Sequence, residues 1–204
     1  MAGAADVLLG HAKSDPEHVE RLARVIRSEA DRMSRLVEDM LTLASLDAAE
    51  ALRREPVRVD LLAAEHANEI ELSRRDRRVT VLTEPVTVHG DTERLRQALA
   101  NLTSNALRHT APGGLIEIEA RLDDGVAVLA VRDDGEGIAE KDLPRVFTRF
   151  WRADSSRSGD GAGLGLAIVR EIVEAHEGSI EIASQPGAGT RVVIRFPVAT
   201  PAGR

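Results

Sequence analysis

Apolar side chains between Ser14 and Leu52 recur at every third or fourth position, which is the period of one face of an α-helix. The stripe consists of Val19, Leu22, Ile26, Met33, Leu36, Met40 and Leu43, with Ala30 bridging its gap. Ser14 or Asp15 can cap the helix, and Pro16 suits its first turn. The pattern predicts a helix of about 50 Å whose apolar seam needs partner helices.

The pattern changes after Arg53–Pro56, where short apolar runs alternate with helical segments. We predict strands at VRV, RVTVLTE, VTVHG, LIEIEARL, VAVLAVRD, SIEIAS and TRVVIRF, and helices over 61–72, 91–109 and 164–176. The expected fold class is α+β: a two-layer α/β sandwich with a mixed, mostly antiparallel sheet against three helices. The long helix before it would belong to a partial helical hairpin. The predicted domains are 1–52 and 56–198, followed by a loose tail over 199–204.

Composition narrows the chemistry that this chain can support. The net charge of -7 argues against a nucleic-acid partner, because phosphate contacts need a basic face. The absence of Cys excludes disulfides and thiolate chemistry. No apolar run approaches the roughly 18 residues of a membrane-spanning helix, so no direct membrane span is predicted and a cytoplasmic setting is expected.

Three polar patches interrupt the apolar pattern: NLTSNALRHT at 101–110, DDGEGI at 133–138 and GDGAGLGLAIVREIV at 159–173. Asn101, Asn105 and Arg108 share one helix face, where amide oxygens can ligate a hard cation and a guanidinium can hold phosphate. Alternatively, that face is merely solvated. DDGEGI permits close approach of a flat ligand, or is an ordinary Asp-Gly turn. The third patch places glycines before a helix N-terminus, where free N–H groups can cradle an anion.

In this order the three patches resemble the N, G1 and G2 boxes of the ATP-binding domain of bacterial sensor histidine kinases, in the gyrase–chaperone–kinase–mismatch-repair superfamily. DLPRVFTRFWRAD at 142–154 resembles the F box of these kinases, and GAGT at 187–190 their last glycine motif. The resemblance implies a Bergerat-type ATP-binding fold, with ATP and Mg²⁺ as cofactors.

The resemblance also implies roles for individual residues. Asp133 would accept a hydrogen bond from the adenine amine, Asn105 would ligate Mg²⁺, and Asn101, Arg108 and Arg152 would be catalytic. The wider nucleotide site would comprise Asn101, Asn105, Arg108, His109, Asp133, Gly135, Gly137, Ile138, Gly161, Gly163, Leu164, Gly165, Leu166 and Thr190. A lid would run from about 138 to 160, with Phe147, Phe150 and Trp151 as its anchor.

The residue type at the position of Asn101 distinguishes branches of this superfamily. The hydrolysing members resemble one another in a Glu at this position, four residues before the metal-binding Asn, where it activates water. An amide cannot act as a base at neutral pH. The sequence therefore disfavours ATP hydrolysis and favours phosphoryl transfer to a histidine.

The long helix resembles the second helix of the dimerisation and phosphoacceptor hairpin of these kinases. Their accepting histidine lies on the first helix, in a stretch like H-E-x-x-x-P. His11 has the proline at the right offset, but Ala12 replaces the acid and the stretch leads directly into the inter-helix turn. We therefore expect the hairpin to lack its phosphoacceptor H box. His18, His66, His89 and His176 have no such context and are expected to be surface or satisfied residues.

The resemblance predicts a protein-histidine kinase that transfers the ATP γ-phosphoryl group to a histidine on another chain or missing from this one, upstream of a response regulator. Such a chain would not phosphorylate itself alone. Residues 14–52 would form a homodimer or a hetero-oligomer with a partner's phosphoacceptor hairpin. The alternative is a non-catalytic nucleotide-binding and dimerisation module that regulates other kinase subunits.

Overall fold

The computed structural model describes residues 16–47, 52–73, 76–152 and 162–198. His11, Gly161 and the predicted tail over 199–204 lie outside these residues, and so does part of the predicted lid. None of the helices in the described ranges combines the length and the hydropathy needed to cross a bilayer.

Helix α1, Pro16–Asp47, is the long helix that the apolar stripe predicts. Some of its apolar side chains are exposed, as Met33 at 51% and Leu41 at 65% illustrate, whereas Val19, Leu22 and Ile26 are half-buried. Burial begins near its C-terminal end, where Thr42 and Leu43 are only 7% and 5% exposed. The helix is fully buried only near this end, and it also contacts the helix Gly165–Ala175.

A small two-stranded sheet follows, in which β1, Glu55–Arg58, pairs antiparallel with β3, Thr87–Gly90. Between them lie α2, Val59–Ser73, and β2, Arg78–Thr83. Helix α2 begins two residues before the predicted start at Leu61. Asp60 explains this, because its carboxylate accepts hydrogen bonds from the Arg58 guanidinium at 2.7 Å and from the Val86 amide at 3.2 Å.

The main sheet has five strands in the order β2-β4-β5-β7-β6. The remaining elements are α3, Thr92–His109; β4, Leu115–Asp123; β5, Val126–Asp133; a 3₁₀ turn, Leu143–Arg145; α4, Gly165–Ala175; β6, Ser179–Gln185; and β7, Gly189–Pro197. Only β2 and β4 are parallel, so the sheet is mixed and mostly antiparallel. The predicted fold class is confirmed.

The core lies between this sheet and helices α2, α3 and α4. Leu95 and Leu99 of α3, Ile118 of β4 and Ile194 of β7 have no solvent exposure. The predicted cap of α3 is confirmed, because the Asp91 carboxylate accepts hydrogen bonds from the amides of Glu93 and Arg94. The cap fixes where α3 begins and hence which residues of this helix face away from the sheet.

A set of polar side chains, which we call the stem contact, joins α1 to α3. Arg94 of α3 donates to the Ser45 hydroxyl at 2.7 Å and to the Thr42 hydroxyl at 3.3 Å. Gln97 donates a further hydrogen bond to Thr42 at 2.9 Å. Since Leu43 is buried beside these residues, the stem contact combines apolar burial with hydrogen bonds.

Candidate functional site

A cleft of about 970 Å³ lies between α3, α4, the segment from 136 to 152 and the exposed flank of α1. It is lined by most of the residues that the sequence singles out: Asn101, Asn105, Arg108, His109, Asp133, Gly137, Ile138, Arg152, Gly163, Leu164, Gly165, Leu166 and Thr190. Gly135 does not line the cleft, and Gly161 lies outside the described residues. Patches that lie far apart in the sequence therefore share one site.

Helix α3 presents its two asparagines to the cleft. The amide nitrogen of Asn101 is buried and has no hydrogen-bond partner among the described residues. Gly165, the first residue of α4, is so close that an added Cβ would lie 3.7 Å from the Asn101 amide oxygen. One turn further on, the Arg108 guanidinium lies 3.5 Å from the Asn105 amide oxygen. A buried amide without a partner is costly unless a ligand satisfies it.

Asp133 ends β5 at the closed end of the cleft and is 7% exposed. One carboxylate oxygen accepts a hydrogen bond from the Gly135 amide at 2.9 Å. Burial raises the pKa of this carboxyl, and the hydrogen bonds from the Gly135 and Thr190 amides oppose that rise. Asp133 lines the cleft, and its carboxylate can accept a hydrogen bond from a donor that enters there.

The two glycines after Asp133 allow the chain to pass between α3 and the β6–β7 turn. An added Cβ at Gly135 would collide with the His109 carbonyl oxygen, and one at Gly137 with the Gln185 carbonyl oxygen. Gly137 also has a positive φ of 70°, a conformation that side chains disfavour. The glycines are therefore needed by the local packing, whether or not a ligand is bound.

Ser184 of β6 does not line the cleft itself, but it contacts two residues that do, and the sequence analysis missed it. Its hydroxyl accepts a hydrogen bond from the Ile138 amide at 2.8 Å and donates to the Gly189 carbonyl at 2.8 Å. It also lies 2.9 Å from the Thr190 hydroxyl. Ser184 thus ties the loop after Asp133 to strands β6 and β7. Nothing in the alternating SIEIAS pattern distinguishes this serine from an ordinary strand residue.

Apolar side chains form the floor of the cleft next to Asp133. Val131, Ile182 and Val192 come from three neighbouring strands, and Leu102 and Ala106 come from α3. A flat aromatic ring could bury its faces here while its polar edge meets the carboxylate. Mostly apolar walls with a few directed polar groups are typical of small-molecule sites.

The predicted lid anchor needs a correction. Phe147 and Trp151 are half-buried, whereas Phe150 is 59% exposed, has a positive φ of 64° and lines the cleft. Val146 is the buried apolar residue of this segment, at 5% exposure. Trp151 lies under the Arg145 guanidinium, 5.8 Å from its ring centroid, and the Phe150 amide donates to the Gly163 carbonyl at 2.9 Å. A contiguous aromatic cluster could not reveal which ring faces inward.

The α1 side of the cleft was not foreseen either. Arg32, Met33, Leu36, Asp39 and Met40 line it. Burial raises the pKa of Asp39, with the nearby Glu38 adding to this rise and Arg35 opposing it. Helical periodicity shows that these residues share one face of α1, but only the docking of α1 brings that face to the cleft.

The histidines outside the cleft differ in exposure. His176 is buried, accepts a hydrogen bond from the Asp91 amide at 2.9 Å and contacts the Ile172 carbonyl at 2.7 Å. His66 contacts the Thr103 hydroxyl at 2.7 Å. His89 is exposed, so these three match the expectation of surface or satisfied residues. The side chain of His18 lies outside the described part of the structure.

Residues 90–200 match the family described as histidine kinase-, DNA gyrase B- and HSP90-like ATPase, and residues 1–49 match the His Kinase A (phospho-acceptor) domain. A probable sensor histidine kinase of Mycobacterium tuberculosis, TcrY, is 39% identical over 188 residues, which are 90% of this chain and 39% of TcrY. The sensor-like histidine kinase SenX3 of Mycolicibacterium smegmatis is 36% identical over 203 residues, which are 97% of this chain and 53% of SenX3. The chain thus spans about two fifths to a half of these relatives.

Solved structures also resemble this chain. The mycobacterial sensor histidine kinase MprB is 35% identical, with a TM-score of 0.64 over 71% of this chain and 98% of the MprB chain. Full-length ShkA in complex with AMPPNP is 29% identical, with a TM-score of 0.78 over 93% of this chain and 40% of the ShkA chain. The ShkA similarity covers nearly all of this chain, whereas the MprB similarity covers about 70% of it.

Proposed function

Because this chain belongs to the histidine kinase-, DNA gyrase B- and HSP90-like ATPase family, as the catalytic region of a sensor histidine kinase, we propose that its cleft binds Mg-ATP and that it transfers the γ-phosphoryl group to a histidine. The observation that carries the proposal is the buried Asp133 at the closed end of an apolar cleft. The adenine amine would donate to the Asp133 carboxylate, and the ring would rest on Val131, Ile182 and Val192.

The other end of the cleft suits the phosphates. Arg108, His109 and Arg152 line it and can contact phosphate oxygens. The unsatisfied amide nitrogen of Asn101 is a further donor in the same wall. Gly163, Leu164, Gly165 and Leu166 would form the phosphate-side wall where α4 begins, since the amides of a helix N-terminus favour negative charge.

Magnesium fits this donor set only together with the nucleotide. Within the described ranges, no three His, Cys, Asp or Glu side chains gather as a metal site. Mg²⁺ prefers oxygen ligands and is commonly held by one or two protein groups plus substrate phosphates. The Asn105 amide oxygen would supply the protein ligand, and the bound ion would neutralise part of the phosphate charge.

The proposed reaction is an in-line displacement at the γ-phosphorus. A ring nitrogen of the accepting histidine forms the new P–N bond, the bond from the γ-phosphorus to the β–γ bridging oxygen breaks, and ADP leaves with its electron pair. The phosphorylated ring is then cationic, and its other nitrogen releases its proton to solvent. Asn101 cannot activate water, so the site favours this acceptor over hydrolysis.

We further propose that the accepting histidine lies on a partner hairpin and that a response regulator receives the phosphoryl group. Apolar side chains exposed on α1, which include Met33, Val37 and Leu41, support pairing with helices of another chain. The same exposed side chains favour the second candidate function, a non-catalytic module that binds nucleotide and regulates kinase subunits.

The test is to incubate the full chain with γ-labelled ATP and Mg²⁺, alone and with a separate helical hairpin that carries a phosphoacceptor histidine on its first helix. We expect acid-labile label on the added hairpin and none on this chain. Nucleotide binding without label on either would favour the non-catalytic module. A parallel reaction with His11→Gln shows whether His11 is an acceptor, because label on the original chain that disappears in this variant would contradict the proposal.

A further inference from the structure

Glu136 is the one residue between Gly135 and Gly137, and it contacts two other segments of the site. Its amide donates to the His109 carbonyl at the end of α3 at 3.1 Å. Its own carbonyl accepts a hydrogen bond from the Gly187 amide in the β6–β7 turn at 2.8 Å. The backbone of Glu136 therefore bridges the two walls that enclose the adenine end of the cleft.

The side chain of Glu136 returns to α3. One carboxylate oxygen lies 2.6 Å from Nδ1 of His109, which is within hydrogen-bond distance. Because the carboxylate can only accept, Nδ1 must carry the proton in this contact. A ligand in the cleft would then meet the His109 ring through Nε2.

His109 is well placed to affect both halves of the nucleotide site. It follows Arg108 directly and lies one turn after Asn105, so it belongs to the same turn of α3 that faces the phosphates. A positive charge on its ring would also lower the pKa of Asp133, which places the ring within electrostatic range of that carboxylate. The orientation of this ring therefore matters for a charged ligand.

We propose that Glu136 is a positioning residue that acts through His109, holding its ring so that Nε2 contacts the phosphate groups of the bound nucleotide. This inference rests on the proposed binding of Mg-ATP. Glu136 itself does not touch the phosphates, because an acidic side chain next to them would repel them. Its carboxylate is instead paired with the histidine.

The test is a double-mutant cycle on the full chain, with Mg-ATP and adenosine affinities measured by calorimetry. The proteins are the wild type, Glu136→Ala, His109→Ala and the double variant. Since the pair is partly exposed, we expect Glu136→Ala to weaken Mg-ATP binding about threefold to fivefold. We expect no further loss when His109 is already Ala, and no change for adenosine, which has no phosphates.

Two further variants separate this role from a general loss of structure. Glu136→Gln keeps an acceptor for Nδ1–H and is expected to stay within about twofold of the wild type. Glu140→Ala, an exposed glutamate of the same loop, is the matched control and should bind both ligands like the wild type.

The possible failures are distinguishable. If the wild type binds neither ligand, the proposed function fails. If it binds Mg-ATP and Glu136→Ala binds equally well, only the role of Glu136 is overturned. The role is also overturned if Glu136→Ala has the same effect in the His109→Ala background, weakens adenosine equally, or is not relieved by Gln.

Discussion

Helix α1 and the α/β unit over 55–198 differ in how far their apolar side chains are buried. On α1, Val25, Met33 and Leu41 are 50 to 65% exposed, whereas Leu95 and Ile194 of the α/β unit have no exposure. The α/β unit therefore contains its own core, while α1 carries a seam that only other helices can cover. The difference indicates that most apolar burial of the described chain lies within the α/β unit, and it is consistent with the proposed pairing of α1 with other helices.

The largest effect should come from the core of the α/β unit. Leu95→Ala removes a fully buried side chain and is expected to lower the free energy of unfolding by about 2 to 5 kcal/mol. Leu41→Ala removes an exposed side chain of α1 and should change it by less than about 0.5 kcal/mol. Urea denaturation at a concentration where the chain is monomeric measures both. Equal losses would contradict the contrast between the two regions.

The second largest effect concerns Mg-ATP affinity, which should depend on Asp133 of the α/β unit. Asp133→Asn removes the charge from the proposed adenine contact and should weaken Mg-ATP binding by about 1.5 to 3 kcal/mol, or about tenfold to a hundredfold. The matched control is Asp124→Asn at the far end of β5, where Asn tolerates the positive φ of 47°. Calorimetry gives both affinities. Unchanged binding in Asp133→Asn would refute the placement of the adenine.

The stem contact is one of the places where the two regions meet, since α1 also contacts α4, and the effect of disrupting it should be smaller. Arg94→Ala removes hydrogen bonds to Thr42 and Ser45 and is expected to destabilise the docking of α1 by about 1 kcal/mol. Hydrogen exchange should quicken in the last turns of α1 and stay unchanged in β5. Arg96→Ala is the control on the same helix, since Arg96 forms a 3.7 Å ion pair with Glu65 of α2 and not with α1 in the described ranges. Unchanged exchange in Arg94→Ala would show that apolar burial alone holds α1.

The smallest effect at neutral pH concerns His176. Burial lowers its pKa from the ordinary value of 6.5, so below pH 6.5 the unfolded chain binds more protons than the folded chain. Its contribution to stability is present above pH 6.5 and is lost as the pH falls from 6.5 through the lowered pKa of the folded state. Urea denaturation at several pH values in this range should show that the free energy of unfolding depends less steeply on pH in His176→Gln than in the wild type. If the free energy of unfolding depends equally on pH in both proteins, groups other than His176 cause the loss of stability in acid.

Much of the fold was predictable, because its elements carry local signals. The alternation in LIEIEARL and VAVLAVRD with DDG between them specifies the β4–β5 hairpin, and Asp91 specifies the start of α3. The exposed Phe150 was not predictable, since three neighbouring aromatic residues do not show which one turns outward. The start of α2 also depended on a distant partner, the Val86 amide.

In the candidate site, too, residues with a local sequence signal were predictable, and residues that depend on distant contacts were not. The asparagines of α3, Asp133 and the glycines were recognisable from residue type and spacing, although their roles stay predictions. Ser184 and Glu136 were missed because a serine in a strand and a glutamate between two glycines are common on any surface. Their significance lies in their partners, Ile138 and His109.

The sequence by itself determined the type and order of the elements and which side chains share a face, because hydrophobic periodicity, capping and turn residues act over a few positions. Only the tertiary structure decided that α1 lines the cleft, that Arg94 meets Thr42 across 52 positions and that His109 meets Glu136 across 27. Contacts of this kind depend on strand order and helix docking. These are properties of the whole packed chain, and no local pattern encodes them.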